Sequence, residues 1–387
     1  MVKFAHVSDV HLGGWKQKEL QELNFESFKF VIQKCIESKV DFVLISGDLF
    51  DSAYPPIEIL KETFAEFRKL KESKIPCYII AGSHDYSVSG KTFLDVLEKA
   101  GFCKNVEDYE ERDGKLLLNP VIEGSVAIYG YPGKKSGLEI NELRRIKLQD
   151  APGMFRILML HTTIKEVTFG IPVDYIDKSE LPNADYYAMG HIHTNYAQSN
   201  LVYPGPVFPN NFKELEDLKE GSFYVVDTKN NMAPLEKIKI KLKDTINFSK
   251  KVDDVNKATE KIIEEIDKED IKDKIVLLRV YGELENGGIS EIKFGQIEEF
   301  VRQKKAYFLL KNIHDLTTKE LELDIKFENP ENIESEAIKN YSEQNPSKFN
   351  KIIPDLMNLL TLEKQEGETI ETFKNRLLSE TGRVLEI

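Results

Sequence analysis

Five times along this chain of 387 residues, a short apolar run ends in a few residues drawn mainly from Gly, Asp, Ser and His. The five places are Ser8-Asp9-Val10-His11, Gly47-Asp48-Leu49-Phe50-Asp51, Gly82-Ser83-His84-Asp85, Leu160-His161-Thr162 and Gly190-His191-Ile192-His193. Five of the seven histidines lie in them. A strand covered on both faces reads as a continuous apolar run, and open α/β sheets build their sites in the loops just beyond strand ends. The pattern therefore predicts a layered α/β domain with its polar strand ends gathered into one site.

The segments between the runs agree. Lys3-Phe-Ala-His-Val-Ser, Phe42-Val-Leu-Ile-Ser and Cys77-Tyr-Ile-Ile-Ala read as strands. From Phe25 to Ile36, Phe28, Val31, Ile32 and Cys35 share one helical face. Ile57 to Leu70 reads as a helix entered through Pro55-Pro56, and Thr92 to Ala100 as one closed by Gly101. Later strands are expected at Val126, Arg156, Tyr186 and Gly221, which gives a first domain over residues 1–235. The pattern then changes. Helices at Val252–Asp267 and Phe294–Lys304 alternate with strands at Lys274 and Ala306, predicting a small α+β domain over 245–315. Residues 316–346 read as an acidic linker punctuated by Pro330, and 347–387 as two short amphipathic helices.

The residue types at the strand ends suit metal ions. Asp9 and His11 are two residues apart, so in extended chain both point to one side and can chelate one ion. His191 and His193 repeat the spacing with two imidazoles. Asp48 follows a glycine at the end of a buried strand, where its two carboxylate oxygens can bridge two cations. Mixed oxygen and nitrogen donors suit manganese, iron or zinc. Cys35, Cys77 and Cys103 have no Cys-x-x-Cys spacing, which argues against a structural zinc site or a disulfide framework.

Taken together, these motifs resemble the calcineurin-like metallophosphoesterase superfamily and, within it, the archaeal type of the meiotic recombination eleven nuclease family, called SbcD in bacteria. His6-Val-Ser-Asp-Val-His-Leu-Gly, Val43-Leu-Ile-Ser-Gly-Asp-Leu-Phe-Asp, Tyr203-Pro-Gly-Pro and Gly221-Ser-Phe-Tyr-Val-Val-Asp carry the likeness. The fold it implies is a β-sandwich flanked by helices, with a DNA-capping α+β domain and a helical tail. It implies two divalent metal ions, most often manganese. Asp9, His11, Asp48 and His193 would hold the first, and Asp48, Ser83, His161 and His191 the second. His84 would be the histidine that is not a ligand and protonates the leaving oxygen. The expected activity is exonuclease on duplex ends and endonuclease on single strands, in a homodimer that works with the Rad-fifty or SbcC type of coiled-coil ABC ATPase. Helices at Ile57–Leu70 and Thr92–Ala100 are the candidates for the dimer bundle. The departure from the family is Ser83, which stands where an asparagine usually binds metal.

Other residues get plainer readings. His6 falls inside a strand and His314 ends the small domain; both are read as structural or surface residues. Trp15 is read first as loop packing and second as a DNA contact. Lys16, Lys18 and Lys91 are candidate phosphate contacts. In the tail, Ile352, Ile353, Leu356, Met357 and Leu360 form one apolar stripe and Phe373 and Leu377 a second. The reading is docking onto the ATPase, since a short helical pair cannot bury such stripes alone.

Charge limits the alternatives. With 53 Lys+Arg against 66 Asp+Glu the net charge is −13, which argues against a protein that simply coats nucleic acid. No apolar run approaches the ~18 residues of a membrane helix, and His6 and Asp9 interrupt any leader peptide, so the expected location is cytoplasmic, beside the nucleoid. Two other readings share the motifs. One is a phosphodiesterase acting on a small molecule; the other is a DNA-end scaffold weakened in catalysis by Ser83.

Overall fold

In a computed structural model, two six-stranded sheets pack face to face. The structure describes residues 2–87, 90, 92–134, 139–168, 172–228, 235–319, 338–339, 341–342, 347, 350–365 and 368–385. The first sheet runs Leu235–Ile240, Gly221–Asp227, Lys3–Val7, Phe42–Ser46, Cys77–Ile80, Lys104–Asn105. The second runs Tyr196–Gln198, Leu201–Tyr203, Tyr186–Gly190, Phe155–His161, Val126–Tyr131, Val121–Glu123. Strand alternation builds three layers of core. Phe4, Phe42, Leu44, Tyr186 and Tyr224 fill the space between the sheets. Ala5, Val7, Val43 and Ile45 face outward onto Phe28, Val31 and Phe67, from the helices Lys18–Glu37 and Ile57–Glu72. This is why Phe42–Ser46 is buried along its whole length. On the outer face of the second sheet Tyr129, Leu158, Leu160 and Met189 make a further cluster.

His6 is buried between the sheets. Its Nδ1 lies 3.0 Å from the Tyr186 hydroxyl of the second sheet and its Nε2 3.1 Å from Ser46 Oγ of the first. Burial, opposed by a backbone contact at Met189, pushes its pKa down to about 3, so the ring is neutral.

Thr245–Lys251, Val255–Asp267, Ile275–Leu284, Phe294–Gln303 and Phe308–Asn312 alternate strand and helix into a second, parallel sheet unit. Two boundaries differ from the expected ones. Leu235–Ile240 pairs antiparallel with Gly221–Asp227, so the first sheet runs past 235; the alternation of Leu, Lys and Ile there is that of an exposed edge strand. Leu316–Thr318 also joins the second unit's sheet by pairing with Ile275–Leu284, inside the expected linker. An apolar seam of Trp15, Leu20, Leu215, Ile275, Leu277 and Leu310 welds the two units. Residues 1–317 form one compact body and 318–387 another. In the latter, Ile353–Leu360 and Ile370–Leu385 are helices with no buried residue. No helix among the described residues is long and apolar enough to cross a membrane.

Candidate metal centre

The strands Lys3–Val7, Phe42–Ser46, Cys77–Ile80, Phe155–His161 and Tyr186–Gly190 all end at one rim of the sandwich, and the five polar runs meet there. Parallel pairing aligns those ends, with Val7 opposite Ile45 and His161 opposite Gly190. Asp9, His11, Asp48 and His161 are almost completely buried. Three groups of side chains offer donor atoms close enough to share an ion: Asp9 with His11 and His193, His11 with Asp48 and His84, and Asp9 with Asp48 and His161. Ser83 approaches the same carboxylate, its Oγ donating to Asp48 Oδ2 at 3.5 Å. His191 stacks edge-on to His161 with ring centres 5.1 Å apart, and its backbone N–H donates to Asp9 Oδ1.

The backbone is bent to bring these groups inward. Asp9, His11, Asp48 and His191 have φ of 51°, 47°, 51° and 92°, the left-handed region that side chains other than glycine rarely occupy. Such strain concentrates where a fold over-determines a functional geometry. Glycine clears the remaining space. A Cβ on Gly82 would lie 2.1 Å from Asp48 Oδ1, and one on Gly47, itself at φ 88°, 2.2 Å from His161 Nδ1.

The protons on the imidazoles test whether the residues suit cations. His161 Nδ1 lies 2.9 Å from the Ser46 carbonyl, His193 Nδ1 2.9 Å from Glu214 Oε1, and His11 Nδ1 3.1 Å from Asp51 Oδ1. Each partner only accepts, so each Nδ1 carries the hydrogen. A neutral ring is then left with a bare lone pair on Nε2. The lone pairs of His11 and His193 face one another at 3.1 Å. That of His161 faces Asp48 Oδ2, also at 3.1 Å. Lone pairs aimed at each other and at a carboxylate repel unless positive charge lies among them. The donor set therefore fits divalent cations, with Asp51, Glu214 and Ser46 fixing the rings from behind as ligating histidines require.

Protonation shows the same demand. Burial disfavours charge on His161, but Asp48 and Asp9 override it and lift the pKa to about 10. Burial likewise opposes the charge on His193, yet Glu214 and Asp9 raise it to about 9. His191 is pushed down to about 4, by burial and by the charge on His161. The Asp48 carboxyl stays well below the usual range, because His161 and His11 outweigh its burial. Asp85 goes the other way: burial and the Asp48 charge lift it to about 7, while it accepts the backbone N–H groups of Leu49, Phe50 and Gly82.

His84 stands at the edge with its side chain 47% exposed. Its backbone N–H donates to Asp48 Oδ1 and its Nδ1 lies 3.0 Å from the Asp51 carbonyl, leaving Nε2 for another partner. A cleft of about 520 Å³ runs between the first sheet's loops and the second unit, lined by Gly14, Lys16, Asn210, Phe212, Lys311 and His314. Lys16 lines it as a candidate phosphate contact could, and Lys311 and His314 join it from the second unit. Lys18 instead is 83% exposed beside Glu22. Trp15 is chiefly a packing residue: only 7% of it is exposed, its indole N–H donates to the Pro209 carbonyl, and its ring packs on Phe208, while its edge also lines the cleft. Lys91 lies outside the described residues. Glu214 carries no strand-end signature, so only the His193 contact identifies it.

The family model for calcineurin-like phosphoesterases matches residues 2–195. The DNA double-strand break repair protein Mre11 of Methanocaldococcus jannaschii is 30% identical over 354 residues, covering 87% of each chain. Mre11 of Archaeoglobus fulgidus is 30% identical over 57% of this chain and 52% of its own, and that of Methanosarcina acetivorans 26% identical over 88% and 55%. The chain thus spans about half the length of these last two relatives.

Proposed function

Because the chain belongs to the calcineurin-like phosphoesterases and, among them, to the Mre11 family, we propose that it is a manganese-dependent nuclease that processes DNA double-strand break ends. One observation carries this reading: the Nε2 atoms of His11, His161 and His193 converge with Asp9 and Asp48 at the sheet rim. Asp9, His11, Asp48 and His193 would hold one ion, and Asp48, His161 and His191, with Ser83 near, a second. When bound, such ions supply Lewis acidity and a water of lowered pKa. The protein's own groups do the rest. Glu214 and Asp51 keep His193 and His11 turned inward. Asp85 ties the Asp48 loop to the Ser83-His84 loop. His84 donates from Nδ1 to the Asp51 carbonyl, which turns Nε2 outward to pass a proton to the leaving sugar oxygen. Lys16, which lines the cleft, holds a flanking phosphate.

The exposed apolar stripes of the tail support docking to a Rad-fifty or SbcC type of ATPase; Leu360 is 81% exposed and Leu378 60%. For the homodimer, Ile57 at 77% and Val96 at 44% exposure mark the helices Ile57–Glu72 and Leu94–Lys99. Light scattering of Ile57→Glu tests this, a monomer being the expected result.

The nuclease test is cleavage of end-labelled duplex DNA with manganese, with magnesium alone and with chelator, wild type beside His84→Ala. Cleavage by wild type and metal-loaded inactivity of the variant are expected. Turnover of a chromogenic phosphodiester without DNA cleavage would favour the small-molecule reading. An inert wild type holding one ion per chain, rescued by Ser83→Asn, would favour the attenuated scaffold.

A further inference from the structure

The short helix Phe212–Asp217 touches both the metal centre and the second sheet unit, with a different residue for each. Glu214 serves the centre. Its Oε1 takes the His193 Nδ1 hydrogen at 2.9 Å, and its carboxylate is held by the Asn210 backbone N–H at 2.8 Å and the Asn211 side-chain amide at 2.6 Å. Leu215, one residue on and 1% exposed, is part of the seam with Ile275, Leu277 and Leu310 of the second unit. Glu216, one residue further, accepts Arg279 Nη2 at 2.8 Å. The Arg279 guanidinium also lies 5.0 Å from the centre of the Phe212 ring, a cation–π distance. Asn247 of the neighbouring strand donates to the Glu216 carbonyl at 3.5 Å. Arg279 itself stands in the strand Ile275–Leu284, and its Nη1 has a second acid, Asp315, at 3.7 Å.

A helix of six residues has little rigidity of its own. Its place is set by what holds it, and on one side that is the second unit. We infer that Arg279 is a positioning residue for the metal centre: by clamping Phe212 and Glu216 it fixes the helix that presents Glu214 to His193, so the docking of the second unit sets how tightly the first ion is held. The inference rests on the metal reading of the rim and adds to it a mechanical link between the two sheet units. A strand of nucleic acid entering the cleft would press on Phe212 and Lys311, both of which line it, and would reach the centre through the same helix.

The test titrates manganese against the full-length protein and follows the free ion by electron paramagnetic resonance. Arg279→Ala is expected to weaken the tighter site roughly threefold to tenfold while the far-ultraviolet spectrum stays that of wild type. Arg279→Lys, which keeps the charge toward Glu216 but loses the planar stack on Phe212, should fall between the two. Glu216→Gln, which keeps the bulk of the clamp, repeats the measurement should Arg279→Ala fold poorly. Route is checked in a double variant. Once Glu214→Gln has removed the relay, Arg279→Ala should cost little more. Wild-type affinity in Arg279→Ala and Glu216→Gln, or losses that simply multiply in the double variant, would overturn the link and leave the metal reading standing. A wild type that binds no manganese would overturn both.

Discussion

His6, inside the sandwich, and His161, at its rim, are both withdrawn from water, and each follows the apolar residues of its strand. Burial acts on both in the same direction. The interior gives His6 two hydroxyls and the Met189 backbone but no charged partner, so burial wins and the pKa falls to about 3. The rim gives His161 a carboxylate at 3.1 Å and a carbonyl behind it, and the pKa rises to about 10. Burial alone therefore does not mark a functional histidine. What marks it is an acceptor fixing one nitrogen while the other is left facing negative charge.

The largest expected break in this contrast is Asp48→Asn. Asp48 belongs to two of the three donor groups, and its loss should cost more than about a hundredfold in metal affinity, since even partners behind the ligands are worth ~10–100-fold. Metal analysis after dialysis checks it. Next comes pH. His161 and His193, at about 10 and about 9 when metal-free, must shed protons to bind an ion, so affinity should rise with pH by about tenfold per unit for each proton displaced. Calorimetry in two buffers of different ionisation enthalpy should register that release between pH 6 and 8. Asp51→Asn should cost about tenfold in affinity by freeing the His11 ring. Smallest at the metal centre is His6→Gln, which should leave affinity unchanged and cost ~1–3 kcal/mol of stability in urea.

The same variant sharpens the comparison in acid. Between about 3 and the unfolded value near 6.5, the unfolded chain binds a proton at His6 that the native state refuses. Stability therefore rises with pH across that window, and falls by up to about 1.4 kcal/mol per unit as pH drops through it. Replacing His6 should flatten the acid limb of the unfolding curve, and an unchanged limb would contradict the interior assignment.

The strand ends were legible because their chemistry and their position coincide: each polar run closes an apolar one, and parallel pairing brings the ends to one rim. The layered α/β class follows from the same alternation. What the sequence hid is whatever reaches the rim from elsewhere. Glu214 sits on a helix about twenty residues beyond its histidine, in a stretch of Lys and Glu that reads as solvated surface. Trp15 was ambiguous because a lone aromatic after two glycines says nothing of the Pro209 carbonyl that engages it. The edge strand Leu235–Ile240 was missed because one open side lets half its residues be charged. Ser83 could be seen as a departure, but its approach to Asp48 is a matter of geometry alone.

The order of strands in the first sheet also bears on how the protein is made. Lys3–Val7 lies between Phe42–Ser46 and Gly221–Asp227, and the rim needs donors from Asp9 through His193 with Glu214 behind them. A nascent chain released short of residue 227 would leave Lys3–Val7 unpaired on one side and, short of 214, His193 unsupported. Pairings so distant along the chain make folding slow. The candidate metal centre thus cannot assemble until most of the first domain has left the ribosome.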